Sequence, residues 1–386
     1  MSEISGLPAA ALDRIIVEHV DPENLVPGGI DTCIHDLIKY GDDFRFGLVG
    51  ITLNNEHKVG VWTKVELAGR HVEFMPVARF DRSETSGSRV RVPHSMRLLW
   101  GVVRYNRRIP RVLLQAHRVE TGFLLSYLRR SRFIQFIHND SNGLTGAHSD
   151  SSWKGLGSVY RALEKRVLRR AAGIVVFNRT DGTRLVQARP DVYVAQTWFD
   201  PQVYQRANRV KWDGKRALRV CWVGRLESQK DPLLAVDTIS QLLKRVPSAE
   251  LVMVGDGSMR DGVIGHAAEL GVSESVHLLG SQDRATVAKV MSESDCLLMT
   301  SHYEGSPRVL VEAGGTGLPV VATKGADPDG ALKVGSNGIA TEQRDPALLA
   351  TGLIEACQYS EEDCCTAAEH RAAGPSVKRI LSIGVA

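Results

Sequence analysis

Short runs of β-forming residues alternate with amphipathic helical patterns along the whole chain. In the first half the runs are RIIVEHV, RFGLVGIT, HVEFMPV, RVLLQAH, RFIQFIH and GIVVFN; in the second they are LRVCWVG, AELVMVG, VHLLG, DCLLMTS, LPVVAT and NGIAT. Apolar strands separated by helices are the mark of parallel sheets covered on both faces, because parallel neighbours need a long crossover and a helix supplies it. The stretch RANRVKWDGKRA, residues 206–217, is polar and basic with no apolar period, and reads as a linker. At 386 residues the chain exceeds the size at which one core stops growing, which agrees with a division in two. The expected fold is α/β: two Rossmann-like doubly wound domains facing across a cleft, with boundaries at 1–205, 206–217 and 218–370. The tail, 371–386, is expected to pack back on the first domain. In such sheets ligands sit beyond the carboxyl ends of the strands.

Composition narrows the class. Hydrophobic content of 43% and charged content of 24% exclude a disordered chain, and no run approaches the roughly 20 apolar residues of a spanning helix. The first residues, MSEISGLPAAALDRIIVEHV, have no basic flank before their apolar positions and do not read as a secretory signal, so a cytoplasmic chain is expected. The cysteines, Cys33, Cys221, Cys296, Cys357, Cys364 and Cys365, show no paired CxxC spacing and are expected to be reduced, with Cys221 and Cys296 buried in strands. A net charge of +4 is too mild to suggest general nucleic-acid binding.

The chemistry concentrates in SHYEGSPRVLVEAGGTGLPVVAT, residues 301–323. Glu304 and Glu312 stand eight residues apart; on one continuous helix that separation turns through about 800°, roughly 80° out of line. A loop followed by a helix explains the pair better. Pro307 suits a helix start, and the N–H groups after it make a place for anionic oxygen. Glu312 in the first turns would accept from vicinal ribose hydroxyls, or would merely complement the helix dipole. Upstream, VGRLESQKDP puts Arg225 and Lys230 past a strand end, where Gly224 permits a tight turn and the two cations can converge on one anion. VGDGSM invites a dinucleotide reading through Gly255 and Gly257, but the third glycine position of GxGxxG is Arg260, so the nicotinamide fingerprint fails.

Taken in order, VGR, QK, VGDG, a strand ending in LLG, and EGSPRVLVEA with GLPVVAT resemble the retaining glycosyltransferases of family 4, which have the GT-B fold. The resemblance covers residues 218 to 355 and, more loosely, the rest of the chain. It implies a nucleoside-diphosphate sugar held mainly by the second domain, with a UDP-sugar preferred as the common form of such donors. Arg225 and Lys230 match the pair that clamps the diphosphate. Glu304 would face the sugar and Glu312 the ribose; the backbone of Gly305, Ser306, Pro307, Arg308, Val309 and Leu310 would meet phosphate and sugar hydroxyls. Gly224 and Gly255 would belong to the same donor site, and Leu279 and Gly280 would meet the base.

In the first domain VPGGI resembles the family's glycine loop, where Gly28 and Gly29 allow close backbone approach; the plainer alternative is a turn. His138, after FIQFI, matches a donor-facing histidine, the alternative being a satisfied core imidazole. The resemblance thus gives a catalytic set of His138, Arg225, Lys230 and Glu304. His117, Arg118 and Glu120 would shape the acceptor side. One departure stands out: many relatives carry Asn-Gly-Val-Asp where this chain has Thr197-Trp198-Phe199-Asp200.

No carboxylate pair is evident at the strand ends of the first domain, and no metal-binding cluster. The implied chemistry is therefore same-face displacement without a metal, driven by stabilisation of the departing diphosphate. The acceptor would be a glycan, a lipid-linked glycan or a small molecule. Between Glu84 and Glu120 lie eight arginines (Arg89, Arg91, Arg97, Arg104, Arg107, Arg108, Arg111 and Arg118) and no acid. Leu98, Val102, Tyr105 and Ile109 recur beside them at helical spacing, so Arg89 to Arg111 either meet an anionic membrane or form a solvated surface helix. A non-catalytic nucleotide-sugar-binding protein of the same fold is the competing reading.

Overall fold

The computed structural model describes residues 8, 11–24, 28–53, 55–80, 94–128, 132–138, 153 and 155–384. Arg89 and Arg91 of the arginine run lie outside the described residues. Two sheets organise the rest.

The first sheet contains β1 (Arg14–Val17), β2 (Phe46–Thr52), β3 (Thr63–Leu67), β4 (Arg70–Arg79), β5 (Leu113–Ala116), β6 (Phe133–Ile137), β7 (Gly173–Val176) and β8 (Val192–Val194), in the order β3-β4-β2-β1-β5-β6-β7-β8. The second contains β9 (Arg219–Val223), β10 (Glu250–Val254), β11 (Val276–Leu278), β12 (Cys296–Met299), β13 (Val320–Thr323) and β14 (Gly338–Thr341), in the order β11-β10-β9-β12-β13-β14. Every pairing is parallel except β3 with β4. The central strands are apolar without alternation, as in RIIV and FGLVGIT, and each of their residues is buried, because helices cover both faces.

Each apolar run of the sequence contributes a strand, and two further strands, β3 and β8, stand at the edges of the first sheet. β3 buries only Val65 and Leu67 among alternating polar residues, and β8 is three residues long. A tight hairpin joins β3 to β4 through Ala68 and Gly69, both left-handed at φ 57° and 73°. Cys221 and Cys296 are buried in β9 and β12.

Strand order reverses beside β1, between β2 and β5, and beside β9, between β10 and β12. These two switch points open the crevices in which ligands of doubly wound sheets bind. The chain crosses between the domains twice, side by side. Phe199 N–H donates to Arg371 O at 3.1 Å, and Ala373 N–H donates to Phe199 O at 2.9 Å. After the second crossing the helix Ala373–Leu381 buries Val377, Ile380 and Leu381 in the core formed with Ile34, Leu37 and Ile38 of the first domain. Residues 206–217 have no regular structure but are held to the second domain: Glu361 accepts from Arg206 Nε and from the N–H groups of Asn208 and Arg209. Among the described residues no helix is long and apolar enough to cross a membrane.

Close backbone approach at one glycine yields a stability test. Gly255 follows β10 at φ 135°, and a Cβ there would lie 1.8 Å from Gly224 O. Gly265, inside the helix Arg260–Glu269, has nothing within 4 Å of the same position. Gly255→Ala is expected to cost more than about 2 kcal/mol, whereas Gly265→Ala should stabilise by about 0.5–1 kcal/mol. Denaturant midpoints of the two variants check this; equal shifts would refute it.

Candidate functional site

The ends of β9, β10 and β11 are packed backbone on backbone. Gly255 N–H donates to Gly280 O at 2.8 Å, Gly280 is left-handed at φ 70°, and Gly255 stacks on Gly224 O. The conformational demand therefore falls on Gly255, not on Gly224, where a Cβ would meet the Trp222 ring at an ordinary 3.4 Å. Leu279 is half-exposed beside them, and its carbonyl accepts from Gln282 Nε2 at 2.7 Å. This leaves an open shelf at the strand ends.

The loops after β9 and β12 form one unit. Lys230 Nζ lies 2.5 Å from Glu304 Oε1, across 74 residues of sequence, and Ser301 Oγ donates to the same oxygen at 2.6 Å. Gln229 Nε2 donates to Tyr303 O at 3.1 Å, His302 N–H donates to Gln229 O at 2.8 Å, and Arg225 Nη2 reaches Gln229 Oε1 at 3.3 Å. Asp231, which caps the next helix, is left-handed at φ 46° and accepts from Arg344 Nη2. Arg344 also donates to Thr300 O and Ser301 O, so it braces both loops. Sequence reasoning did not single it out, since it lies beyond β14 with no motif around it.

The helix Arg308–Gly315 starts after Pro307, which sits at the N-cap just before it, with no side-chain cap. Its leading N–H groups thus have no side-chain acceptor at the cap and carry the positive end of the dipole. Glu312 is buried, and burial pushes its carboxyl above the ordinary range against the pull of Arg308 and Arg284. Arg308 Nε is 3.7 Å from Glu312 Oε1, while its Nη2 crosses to the first domain and donates to Asp36 Oδ2 at 2.7 Å.

On the opposite rim Gly28 is extended at φ −175°, a conformation open to any residue, and Gly29 begins the helix Gly29–Tyr40 with open space around its Cβ position. Neither the backbone angle of Gly28 nor the space around Gly29 demands a glycine. His117 and His138 follow β5 and β6. Buried Arg14 Nη1 donates to Gln115 Oε1 at 3.1 Å, which makes Gln115 Nε2 the donor to His117 Nε2 at 2.7 Å. His117 Nδ1 then carries the proton and donates to His138 Nε2 at 2.8 Å, leaving the His138 Nδ1–H as the end of the relay. His138 stacks on Phe177 at 4.7 Å. Burial, reinforced by the charge of Arg308, pushes His138 down to about 3, and burial with the neighbouring His138 holds His117 well below its usual value. Both imidazoles are neutral at physiological pH.

Cys33 Sγ lies within 4.8 Å of the nitrogens of these two histidines, the one cluster of potential metal ligands among the described residues. Burial raises the Cys33 thiol far above its ordinary value, which opposes the thiolate a metal would require. Arg118 Nε donates to Glu18 Oε1 at 2.7 Å, and burial, with a smaller push from Glu18, raises the Glu120 carboxyl. Arg118 thus feels the charge of both Glu18 and Glu120. Glu18 is only 1% exposed at its side chain. Its position directly after RIIV was the available signal.

A cavity of about 440 Å³ also lies between the domains, lined among others by Phe177, Arg179, Leu310, Asp329 and Arg371. None of Arg225, Lys230, Glu304 or Glu312 lines it.

Residues 206–369 match the model of the family described as Glycosyl transferases group 1. The chain is 32% identical over 109 residues to D-inositol 3-phosphate glycosyltransferase of Segniliparus rotundus, covering 27% of this chain and 24% of that protein. It spans about a quarter of the length of the curated relatives it matches first. In three dimensions it is similar to sucrose-phosphate synthase from Thermosynechococcus elongatus (TM-score 0.72, 15% identity, 95% of this chain and 96% of that one). It is also similar to Anabaena Alr3699/HepE, solved with UDP and glucose (TM-score 0.70, 17% identity, 96% and 100%). The chain therefore has the GT-B fold, and its second domain carries the glycosyl transferases group 1 pattern.

Proposed function

We propose that the chain is a retaining, metal-independent glycosyltransferase that moves a hexose-type sugar from a nucleoside-diphosphate sugar to a glycan, lipid-linked or small-molecule acceptor, in cell-envelope or exopolysaccharide synthesis. The observation that carries this reading is the contact of Lys230 with Glu304, which joins a phosphate-type cation to a sugar-type carboxylate beside an uncapped helix N-terminus. A donor diphosphate would draw Lys230 and Arg225 to itself and release Glu304 for the sugar hydroxyls. Arg225, Lys230 and the leading N–H groups of Arg308–Gly315 would then stabilise the charge on the leaving diphosphate, the role a metal plays elsewhere. Glu312 would take the ribose, and the His138 Nδ1–H would donate to the sugar or phosphate. Front-face attack by the acceptor hydroxyl would then complete the transfer with the sugar's configuration kept. The fold shared with a protein solved with UDP and glucose favours a UDP-sugar.

The helix His94–Tyr105 supports a peripheral role at the cytoplasmic membrane face. Leu98 and Val102 are buried, while Met96, Trp100 and Val103 form a second, exposed apolar ridge, Trp100 being 66% exposed. Arg104, Arg107, Arg108 and Arg111 stand exposed beside it. A basic side chain near an anionic surface contributes about 1 kcal/mol.

Three outcomes test these assignments. In a thermal-shift screen of UDP, GDP, ADP and their sugar conjugates, one nucleotide at 100 times its Kd should stabilise by about 2.7 kcal/mol. Arg225→Ala and Glu312→Ala should abolish the shift, and turnover should survive a chelator; binding without turnover with any acceptor would select the scaffold reading. On pH, the raised Glu312 carboxyl is charged only above its shifted pKa, so donor affinity should fall on acidification earlier than an ordinary carboxylate predicts. Glu312→Gln should remove that limb, whereas His138, neutral down to about 3, adds none. Sedimentation with phosphatidylglycerol vesicles should capture the protein in low salt and fail for Trp100→Ser with Arg104→Ser and Arg107→Ser; equal capture by phosphatidylcholine would count against the surface.

A further inference from the structure

Asp36 lies in the first domain, on the helix Gly29–Tyr40, and its side chain is fully buried. No motif surrounds it, yet it accepts from every side. Oδ2 takes Trp198 Nε1 at 2.9 Å and Arg308 Nη2 at 2.7 Å; Oδ1 takes Arg284 Nη1 at 2.8 Å and faces His35 Nδ1 at 3.2 Å. The two arginines come from the second domain. Arg308 is the first residue of the helix that bears Glu312, one helical turn before it, and its guanidinium also lies 5.4 Å over the Trp198 ring. Arg284 begins the helix Arg284–Ser292, and its Nη2 is 3.9 Å from Asp200, the carboxylate that Lys39 and Tyr40 hold in the first domain.

We propose that Asp36 is a positioning residue for glycosyl transfer: by binding Arg308 and Arg284 across the cleft it draws the helix Arg308–Gly315 against the first domain, so that Glu312 and the leading N–H groups meet the donor in register with His138. This rests on the glycosyltransferase reading above. The argument is one of geometry and reach. A buried carboxylate needs its donors, and here two of the strongest come from the other domain, so satisfying Asp36 fixes how the two domains meet. The anion-binding side chains Arg225 and Lys230 lie outside this contact; Lys230 is held by Glu304 within the second domain. Loss of Asp36 should therefore impair the closed, reacting arrangement while leaving first capture of the nucleotide largely intact.

The test compares Asp36→Asn, Arg308→Gln, the double variant and the conservative Arg308→Lys, each checked for folding by circular dichroism, with three readouts: UDP affinity, kcat for donor turnover, and the radius of gyration by small-angle scattering. Asp36→Asn keeps an oxygen for Trp198 but gives up the charge. For Asp36→Asn the expected result is a kcat lower by about ten-fold or more, UDP affinity within about three-fold of wild type, which is less than about 0.7 kcal/mol, and a larger radius of gyration; Arg308→Gln should lower kcat and enlarge the radius likewise. The double variant should be no worse than either single one, and Arg308→Lys should recover part of kcat. Folded Asp36→Asn with wild-type kcat, or a loss of UDP affinity that matches the loss of kcat, overturns the proposal. If the wild type binds no nucleotide and turns over no donor, the glycosyltransferase reading fails instead, and scattering alone decides the clamp: an unchanged radius in Asp36→Asn removes it, and an increased one retains it as a domain contact.

Discussion

The arrangement of the two domains depends on Asp36, a buried carboxylate whose two guanidinium partners come from the other domain. Asp36 and Asp200 in the first half, with Glu312 in the second, face Arg284, Arg308 and Lys39. Burial opposes ionisation of Asp36, but the hydrogen bond from His35 and the guanidinium groups of Arg308 and Arg284 outweigh it and hold its carboxyl below the usual range. For Glu312 burial outweighs the pull of Arg308 and Arg284, and the charge of Asp36 adds to the rise. Removing one partner from a buried pair costs about 3–5 kcal/mol, since the other charge is stranded. The cluster is thus less a source of net stability than a condition on geometry: the charges tolerate burial in one relative placement of the domains.

Within that placement the site is dictated by topology. Several residues of the site stand at, or a short loop beyond, the carboxyl end of a strand: Glu18 after β1, His117 after β5, His138 after β6, Arg225 after β9, Gly255 after β10 and Glu304 after β12. Parallel strands bring all of these ends to one edge of each sheet, and the reversals beside β1 and β9 leave gaps there. The glycines let the backbone of β9, β10 and β11 meet closely at that edge, and the loops bearing Lys230 and Glu304 are joined there by the contact of those two side chains.

Local patterns made much of this legible in the sequence. Buried parallel strands advertise themselves as apolar runs, and the loop-and-helix unit at 301–315 was readable because two carboxylates eight residues apart cannot share one helical face. Edge strands β3 and β8 escaped because half-exposed pairing leaves a weaker pattern than full burial. Asp36 escaped for a different reason: on an amphipathic helix it reads as one more solvated acid, and its partners lie 248 and 272 residues away. Trp198, which departs from the turn expected at 197–200, is buried in the first domain's core and its indole donates to that carboxylate. Arg344 had no local signal at all. Long-range charge pairing is a property of the closed chain, and single-sequence patterns do not carry it.

Arg14, at the start of β1, ties these levels together. It is fully buried, burial lowers its pKa to about 10, and its guanidinium spans two distant segments: Nη1 starts the relay to His138 through Gln115, and Nη2 donates to Leu381 O at 2.8 Å. The first of these partners leaves the ribosome soon after Arg14 itself. The second is made only after the entire second domain. During synthesis the leading domain must therefore wait, with an interior cation half-satisfied and the face of Ile34, Leu37 and Ile38 uncovered, until the trailing helix returns to it. The first half of this chain to be born is the last to be finished.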